Sequence, residues 1–412
     1  ETFNLRHHRR RRSITGGIRT MILSISLCVG VLVLVSPASC QTASGPVQDL
    51  VQRNVDFGAR LYRAVASRSD GNVLLAPLTL SSALSALSGA AAGPTAQQLL
   101  QGLNLNGLDP QNIPELFQSL RDLVSEGGRV LDLKQGVAVF PAQTFQVSQA
   151  YTDLVQKLGG TVQTLNYAAP QEATDTINHW AQTQTAEQVW DLVTNLDPQT
   201  QLLLASAASY QTRFRPAFNA SVTQGERFFV DKYHVVVPPM MMRADKYFLA
   251  YDRLLKVGVL KLPMADGAAM LVVLPDEDVD VTAVEEEVTG EKIRSWIRQL
   301  KKTKLEVQLP RFLLERSYSL SDVLQTLDIT QVFQDAADLS GMGGAKSPTL
   351  TQVISKSVFT VDESGGASDD PASSFSSLPP RLTVNRPFLF IVYEPASGSV
   401  LLMGRVVDPT KK

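Results

Sequence analysis

Apolar and polar positions recur with two different periods along this chain. Val47, Leu50, Val51, Phe57, Leu61 and Val65 fall near helical spacing, which predicts an amphipathic helix over Pro46–Ser67. After Asn72 comes an apolar run, VLLAPLTL, and then a small-residue helix around Ser81–Gly89. Thr95–Leu100 and Pro114–Val124 repeat the helical pattern. Leu131, Leu133, Val137 and Val139 alternate instead, as strand residues do when one face is buried. Val147–Leu158 returns to the helical period and stops at Gly159-Gly160.

Strand patterns dominate the second half. Leu202–Tyr210, Arg227–Val237, Val257–Leu262 and Ala268–Leu274 are apolar or alternating. Glu291–Lys301 is a predicted helix with an apolar stripe at Ile293, Trp296, Ile297 and Leu300. Leu305–Leu309 alternates, Leu350–Val361 is a strand pattern, and Pro387–Tyr393 and Val400–Val406 are near-continuous apolar runs. Runs of that kind suit strands covered on both faces. A helix-rich first half and a strand-rich second half, with no linker between them, predict one large α+β domain. One segment breaks the pattern. Asp362–Pro380 reads DESGGASDDPASSFSSLPP, rich in Ser, Gly, Asp and Pro and without periodicity. A stretch this long inside a domain is a functional loop or a disordered one.

The N-terminus changes the arithmetic. Residues 21–40, MILSISLCVGVLVLVSPASC, hold an uncharged apolar run from Ile22 to Val35 followed by small residues at Ala38 and Cys40. That is the pattern of a secretory signal peptide cleaved before Gln41, and the run is too short to span a bilayer comfortably. Residues 1–20 are read as a leader segment and residues 41–412 as the folded domain. Removing forty residues leaves 372, with 32 basic and 39 acidic side chains and a net charge of −7. This balance argues against a nucleic-acid partner. Both cysteines, Cys28 and Cys40, fall in the removed part, so the mature chain is expected to fold without a disulfide. No later run is long enough to cross a membrane, and a secreted, extracellular monomer without membrane contact is the expectation.

Candidate catalysis is thin. The mature chain has His179 and His234, neither in a metal-binding motif, and there is no GxSxG nucleophile elbow and no phosphate-binding glycine loop. His179 is placed on a helix and His234 in a strand. Glu285-Glu286-Glu287 is read as a solvated helix start, and Lys301, Lys302 and Lys304 as a solvated basic face. Asn219-Ala220-Ser221 is a glycosylation acceptor in an exported chain. No cofactor or metal is expected.

Five segments together resemble the serpin family: NVLLAPLTLSSALSALSGAAAGPTAQQLL at 72–100, LLLASAASYQTRFRPAF at 202–218, VVVPPMMM at 235–242, LEVQLPRFLLERSYSLSDVLQTLDITQVFQDAADLSGM at 305–342, and NRPFLFIVYEPASGSVLLMGRVVDPTK at 385–411. The last is the most specific, and the chain looks most like the vertebrate plasma branch of the family. The resemblance implies an α+β serpin fold of three β-sheets with eight or nine helices and an exposed reactive-centre loop at residues 362–380. It implies a serine protease inhibitor rather than an enzyme. In inhibitory relatives a protease cuts this loop, the cut strand inserts into the largest sheet, and the attached protease is distorted and trapped.

On that resemblance the hinge comprises Glu363, Gly365, Gly366, Asp369, Asp370 and Pro371, and the reactive site comprises Phe375, Ser376 and Ser377. Glu363 and the glycines suit insertion. Asp369 and Asp370 are adjacent, so either register aims one at the core. Pro371 has no N–H for a central ladder. The family's hydrogen-bonded latch of Ser, Asn and His, where the large sheet parts, matches Ala76, Ser206 and Ser355 here, all three altered. Phe214 stands where the family usually has Trp. Two expectations stay open: an inhibitor of an extracellular serine protease, chymotrypsin- or elastase-like, or a non-inhibitory carrier, hormone-like or binding protein with an unidentified ligand.

Overall fold

The structure is a computed structural model that describes residues 45–125, 131–344, 347–364 and 379–412. Helix α1 (Gly45–Ala66) buries Val47, Leu50, Val51, Val55, Leu61 and Tyr62, the stripe expected from its 3.6-residue period. Strand β1 (Val73–Leu75) leads through Ala76 into α2 (Pro77–Ser88), which has Pro at its first position and every residue buried. Its Ala and Ser side chains let this helix sit inside the fold. The remaining helices are α3 (Gly93–Gly102), α4 (Ile113–Ser125), α5 (Gln149–Lys157), α6 (Pro170–Gln184), α7 (Val281–Glu286), α8 (Gly290–Gln299) and α9 (Ser321–Gln325). Nine α-helices and three sheets are present among the described residues.

The five-stranded sheet runs in the order β12 (Phe312–Ser319), β13 (Leu350–Val361), β4 (Leu202–Gln211), β2 (Leu133–Pro141), β3 (Gly160–Val162). Strands β12–β13 and β2–β4 pair antiparallel, whereas β13–β4 and β2–β3 pair parallel. The nine-stranded sheet follows the path β1, β16 (Ser399–Val406), β15 (Phe388–Glu394), β10 (Ala269–Pro275), β9 (Val257–Pro263), β8 (Pro239–Asp252), β11 (Lys301–Pro310), β14 (Arg381–Thr383), with β5 (Gln224–Gly225) on β8. Strand β8 joins its halves, pairing with β9 near its C-terminal end and with β11 over most of its length. The third sheet is the hairpin β6 (Phe228–Phe229) and β7 (Val235–Val236). The sequence pattern over Arg227–Val237 therefore breaks into two short strands. The Asp231 carboxylate makes the turn, accepting from the N–H groups of Tyr233 and His234 at 2.7 and 2.8 Å.

Two apolar cores lie on opposite faces of the five-stranded sheet. Along β4, Leu202, Leu204, Ala208 and Tyr210 join the large core, while Leu203, Ala205 and Ala207 join a smaller one containing Ile177 and Trp180 of α6. Strand β2 repeats the alternation, with Val137 and Val139 in the first core and Ala138 and Phe140 in the second. A side chain at Gly136 would collide with Gln184 at 2.5 Å, so glycine there lets α6 lie close on the sheet.

A buried polar clamp ties the last strand to the segment after α1. Arg405 on β16 pairs with Glu285 at 2.5 Å, and its guanidinium also donates to the carbonyls of Ser69 and Gly71. The Tyr62 hydroxyl donates to the same Glu285 carboxylate. Burial, and then that carboxylate, pushes the Tyr62 pKa well up, and burial pushes Glu285 up as well. Only Glu286 and Glu287 of the acidic triplet are solvated, because Glu285 points inward from the last turn of α7. Asn72 repeats the stitching by donating to the carbonyls of Asp408 and Lys411, both at 2.8 Å. Replacing Arg405 by Met strands a buried carboxylate and should cost about 3–5 kcal/mol in urea unfolding. Combining it with Glu285→Gln should recover a large part of that loss; equal stability of the Arg405→Met protein and wild type would show that the clamp carries no weight.

Candidate functional site

The central geometry is the parallel seam between β13 and β4, which runs from Leu350↔Leu202 to Thr360↔Gln211. Parallel ladders have slanted hydrogen bonds and are slightly weaker per residue than antiparallel ones. A strand folded back from the end of β13 would run antiparallel to both neighbours and could pair with each. At mid-seam Ser206 and Ser355 sit in register, and the buried Ser206 hydroxyl donates to the Ser355 hydroxyl at 2.9 Å. Ala76, before α2 and 1% exposed, brings no polar group to join them. The structure thus brings two of the three latch positions into one hydrogen bond and leaves the third apolar.

Residues 185–197, after α6, strap the front of the seam. On β4 the Ser209 hydroxyl donates to the Thr185 carbonyl at 3.1 Å. On β13 the Lys356 ammonium pairs with Glu315 of β12 at 2.8 Å and donates to the Trp190 carbonyl at 2.5 Å. Asn178 on α6 brackets Val193 with two bonds of 2.9 Å. The strap is locally strained: Ala186, Glu187 and Asp191 hold φ values of 49, 62 and 48°, a region that disfavours side chains.

Both flanks of the 362–380 segment are fixed. The Asp362 carboxylate accepts from the Ser364 N–H at 2.8 Å. The Glu363 side chain is 8% exposed; it accepts from the Thr223 hydroxyl at 2.5 Å and faces Arg311 at 3.6 Å. On the far side the Pro380 carbonyl accepts from the Glu306 N–H at 2.9 Å, and β14 then pairs parallel with β11. Arg381 pairs with Glu306 at 2.5 Å, and the Thr383 hydroxyl donates to Gln308 at 2.8 Å. Gly365, Gly366, Asp369, Asp370, Pro371, Phe375, Ser376 and Ser377 lie outside the described residues.

The other candidates scatter. His179 is exposed on α6, and His234 is exposed in the turn between β6 and β7 rather than in a strand. Lys301, Lys302 and Lys304 are exposed at the start of β11. No cluster of three or more His, Cys, Asp or Glu is placed to hold a metal among the described residues. Asn219 is exposed and accepts from the Ser221 N–H at 2.9 Å. Phe214 is buried edge-on against Phe218, with centroids 5.3 Å apart. Sequence reading missed Lys356, Thr223 and Arg311. Only Lys356 carried a signal, as a lone cation within a strand whose neighbours are mostly apolar or small.

A mixed α+β fold, with a strapped parallel seam and a long segment fixed at both ends, defines the class of molecule. The chain belongs to the serpin (serine protease inhibitor) family, whose model matches residues 52–409. It is 32% identical over 373 residues to human protein Z-dependent protease inhibitor, covering 88% of this chain and 83% of that protein. It is 30% identical to guinea pig (Cavia porcellus) alpha-1-antiproteinase S over 401 residues, 96% of this chain and 98% of the other. The crystal structure of mouse protein-Z dependent protease inhibitor superposes with a TM-score of 0.82 at 32% identity, covering 88% of this chain and 98% of that one. Thyroxine-binding globulin in complex with thyroxine superposes with a TM-score of 0.80 at 26% identity, covering 88% and 99%. The family therefore includes protease inhibitors and a hormone-binding protein.

Removing either hydroxyl at the seam leaves its buried partner unsatisfied, so Ser206→Ala or Ser355→Ala should each cost about 1–3 kcal/mol. The double replacement should cost less than the sum, by denaturant titration of all four proteins. Strict additivity would show that the two hydroxyls do not interact.

Proposed function

We propose that this protein is a secreted serpin that offers residues 362–380 to an extracellular serine protease, chymotrypsin- or elastase-like, and is cut more readily than it traps. The scissile bond is Ser376–Ser377, with Phe375–Ser376 the rival for a protease that selects an aromatic side chain. Export rests on the signal-peptide pattern of residues 21–40; no helix among the described residues is long and apolar enough to cross a membrane.

The supporting observation is the pair of apolar cores on either face of β4. An inserted strand would have its side chains alternately in one core and the other. Asp369 and Asp370 would send one carboxylate into each. An unpaired buried carboxylate costs several kcal/mol or takes up a proton. Pro371 would leave one rung of the ladder without a donor. The Ser206–Ser355 bond, the Lys356 tie and the Glu363 clasp add resistance to parting the seam. Cleavage is thus expected to finish before insertion can distort a bound protease.

Incubation with chymotrypsin or elastase should yield chain cut within residues 366–377 and little SDS-resistant adduct. The cut protein should melt near the temperature of the intact one. Changing Asp369, Asp370 and Pro371 together to Ala should raise the melting temperature of the cut form well above that of the intact form. A near-stoichiometric covalent adduct from the unaltered chain would overturn the proposal.

A second reading, a carrier, is favoured by one cleft. Between α1, α8 and the β15–β16 turn lies a cavity of about 200 Å³ lined by Val51, Val55, Ile293 and Tyr393 with Arg298 and with Arg294, which also pairs with Asp56 at 3.5 Å. Apolar walls with a few cations suit a small anionic aromatic molecule. As a carrier the protein should bind thyroxine saturably at one site by calorimetry, and Val55→Trp should abolish the heat. No saturable heat would remove this reading.

A further inference from the structure

The segment between β4 and β5 carries a feature that loop insertion does not use. Phe218 is buried, and the Ala217 carbonyl accepts from Arg243 at 2.8 Å, so the chain is fixed just before Asn219. Just after, Gln224 and Gly225 pair with Met240 and Pro239 of β8. Between these anchors Asn219, Ala220 and Ser221 are exposed, and Val222 shows 41% of its surface to solvent. The Asn219 Oδ1 is engaged by the Ser221 N–H, which leaves the amide nitrogen as the free end of the side chain. Thr223 ends this stretch and clasps Glu363 at the hinge. Four residues of chain span at most about 14 Å, so Asn219 stands beside the hinge whatever the local path.

We propose that Asn219 carries an N-linked oligosaccharide that shields the hinge Asp362–Ser364 and slows proteolysis on the β13 side of the loop. This rests on the export proposed above. The donor is a lipid-linked oligosaccharyl diphosphate. The Asn219 amide nitrogen forms a bond to the anomeric carbon, the bond from that carbon to the diphosphate oxygen breaks, and the amide proton leaves with the released lipid diphosphate. A sugar at this place also covers the exposed Val222. Its root cannot wander, because Phe218 and the β5–β8 pairing hold the chain on either side.

The test uses the full chain expressed in a secreting animal cell line. Protein from the medium should carry a glycan on Asn219, with the site converted to Asp by peptide N-glycosidase. Ser221→Ala should abolish the glycan and Ser221→Thr should keep it, and neither touches Asn219 itself. A broad-specificity protease such as proteinase K then reads hinge access through its cut on the β13 side of residues 362–380, mapped by mass spectrometry. That cut should be several-fold faster in enzymatically deglycosylated protein and in the Ser221→Ala protein than in the glycosylated chain. Secreted protein without sugar at Asn219 would overturn this inference alone, as would equal cleavage rates with and without the sugar. A chain that stays in the cytosol would overturn both the inference and the proposed export.

Discussion

Everything at the candidate site follows from one constraint: the strand at the middle of the five-stranded sheet has an apolar core on each of its faces. Leu203, Ala205 and Ala207 meet the α6 side, and Leu202, Leu204 and Ala208 meet the other. A sheet with one wet face would tolerate a new strand bearing acids on every second residue. On the function proposed above, residues 369–371 would fit this sheet in neither register. The chemistry of residues 369–371 therefore bears on function without any contact to a protease.

The seam itself is held by modest means. Its backbone ladder is parallel, the side-chain bond at its middle joins two hydroxyls, and its strap is tied at Thr185 and Trp190. Small residues on β4 let the strap and α6 lie close. The strongest polar devices are elsewhere, in the Arg405–Glu285–Tyr62 cluster and the Asn72 stitching that fix the C-terminal strand to the start of the fold.

Much of this was legible in the sequence wherever period and composition agreed. Strand β13 is legible at its observed bounds because LTQVISKSVFTV is rich in β-branched and aromatic residues over its whole length. The closing strands β15 and β16 were legible because they are apolar on both faces. Strand β8 has no strand signal of its own, because MMMRADKYFLAYD mixes charges into a strand whose register is set by β11. Glu285 was misread as solvated, since an acidic triplet gives no sign of which member meets an arginine 120 residues away. The hinge clasp was invisible for the same reason: Thr223, Arg311 and Glu363 belong to three distant segments. Residues 362–380 stand out by composition, whereas their role and the hinge positions within them rest on family resemblance.

Hydrogen–deuterium exchange on the protease-cut chain tests the central claim most directly. If the seam stays shut, the amides of β4 and β13 exchange alike before and after the cut, and the peptide spanning residues 365–371 exchanges freely in the cut form. Protection of that peptide to the level of β4 would mean that both acids and the proline had been accepted between the cores, and would contradict the account.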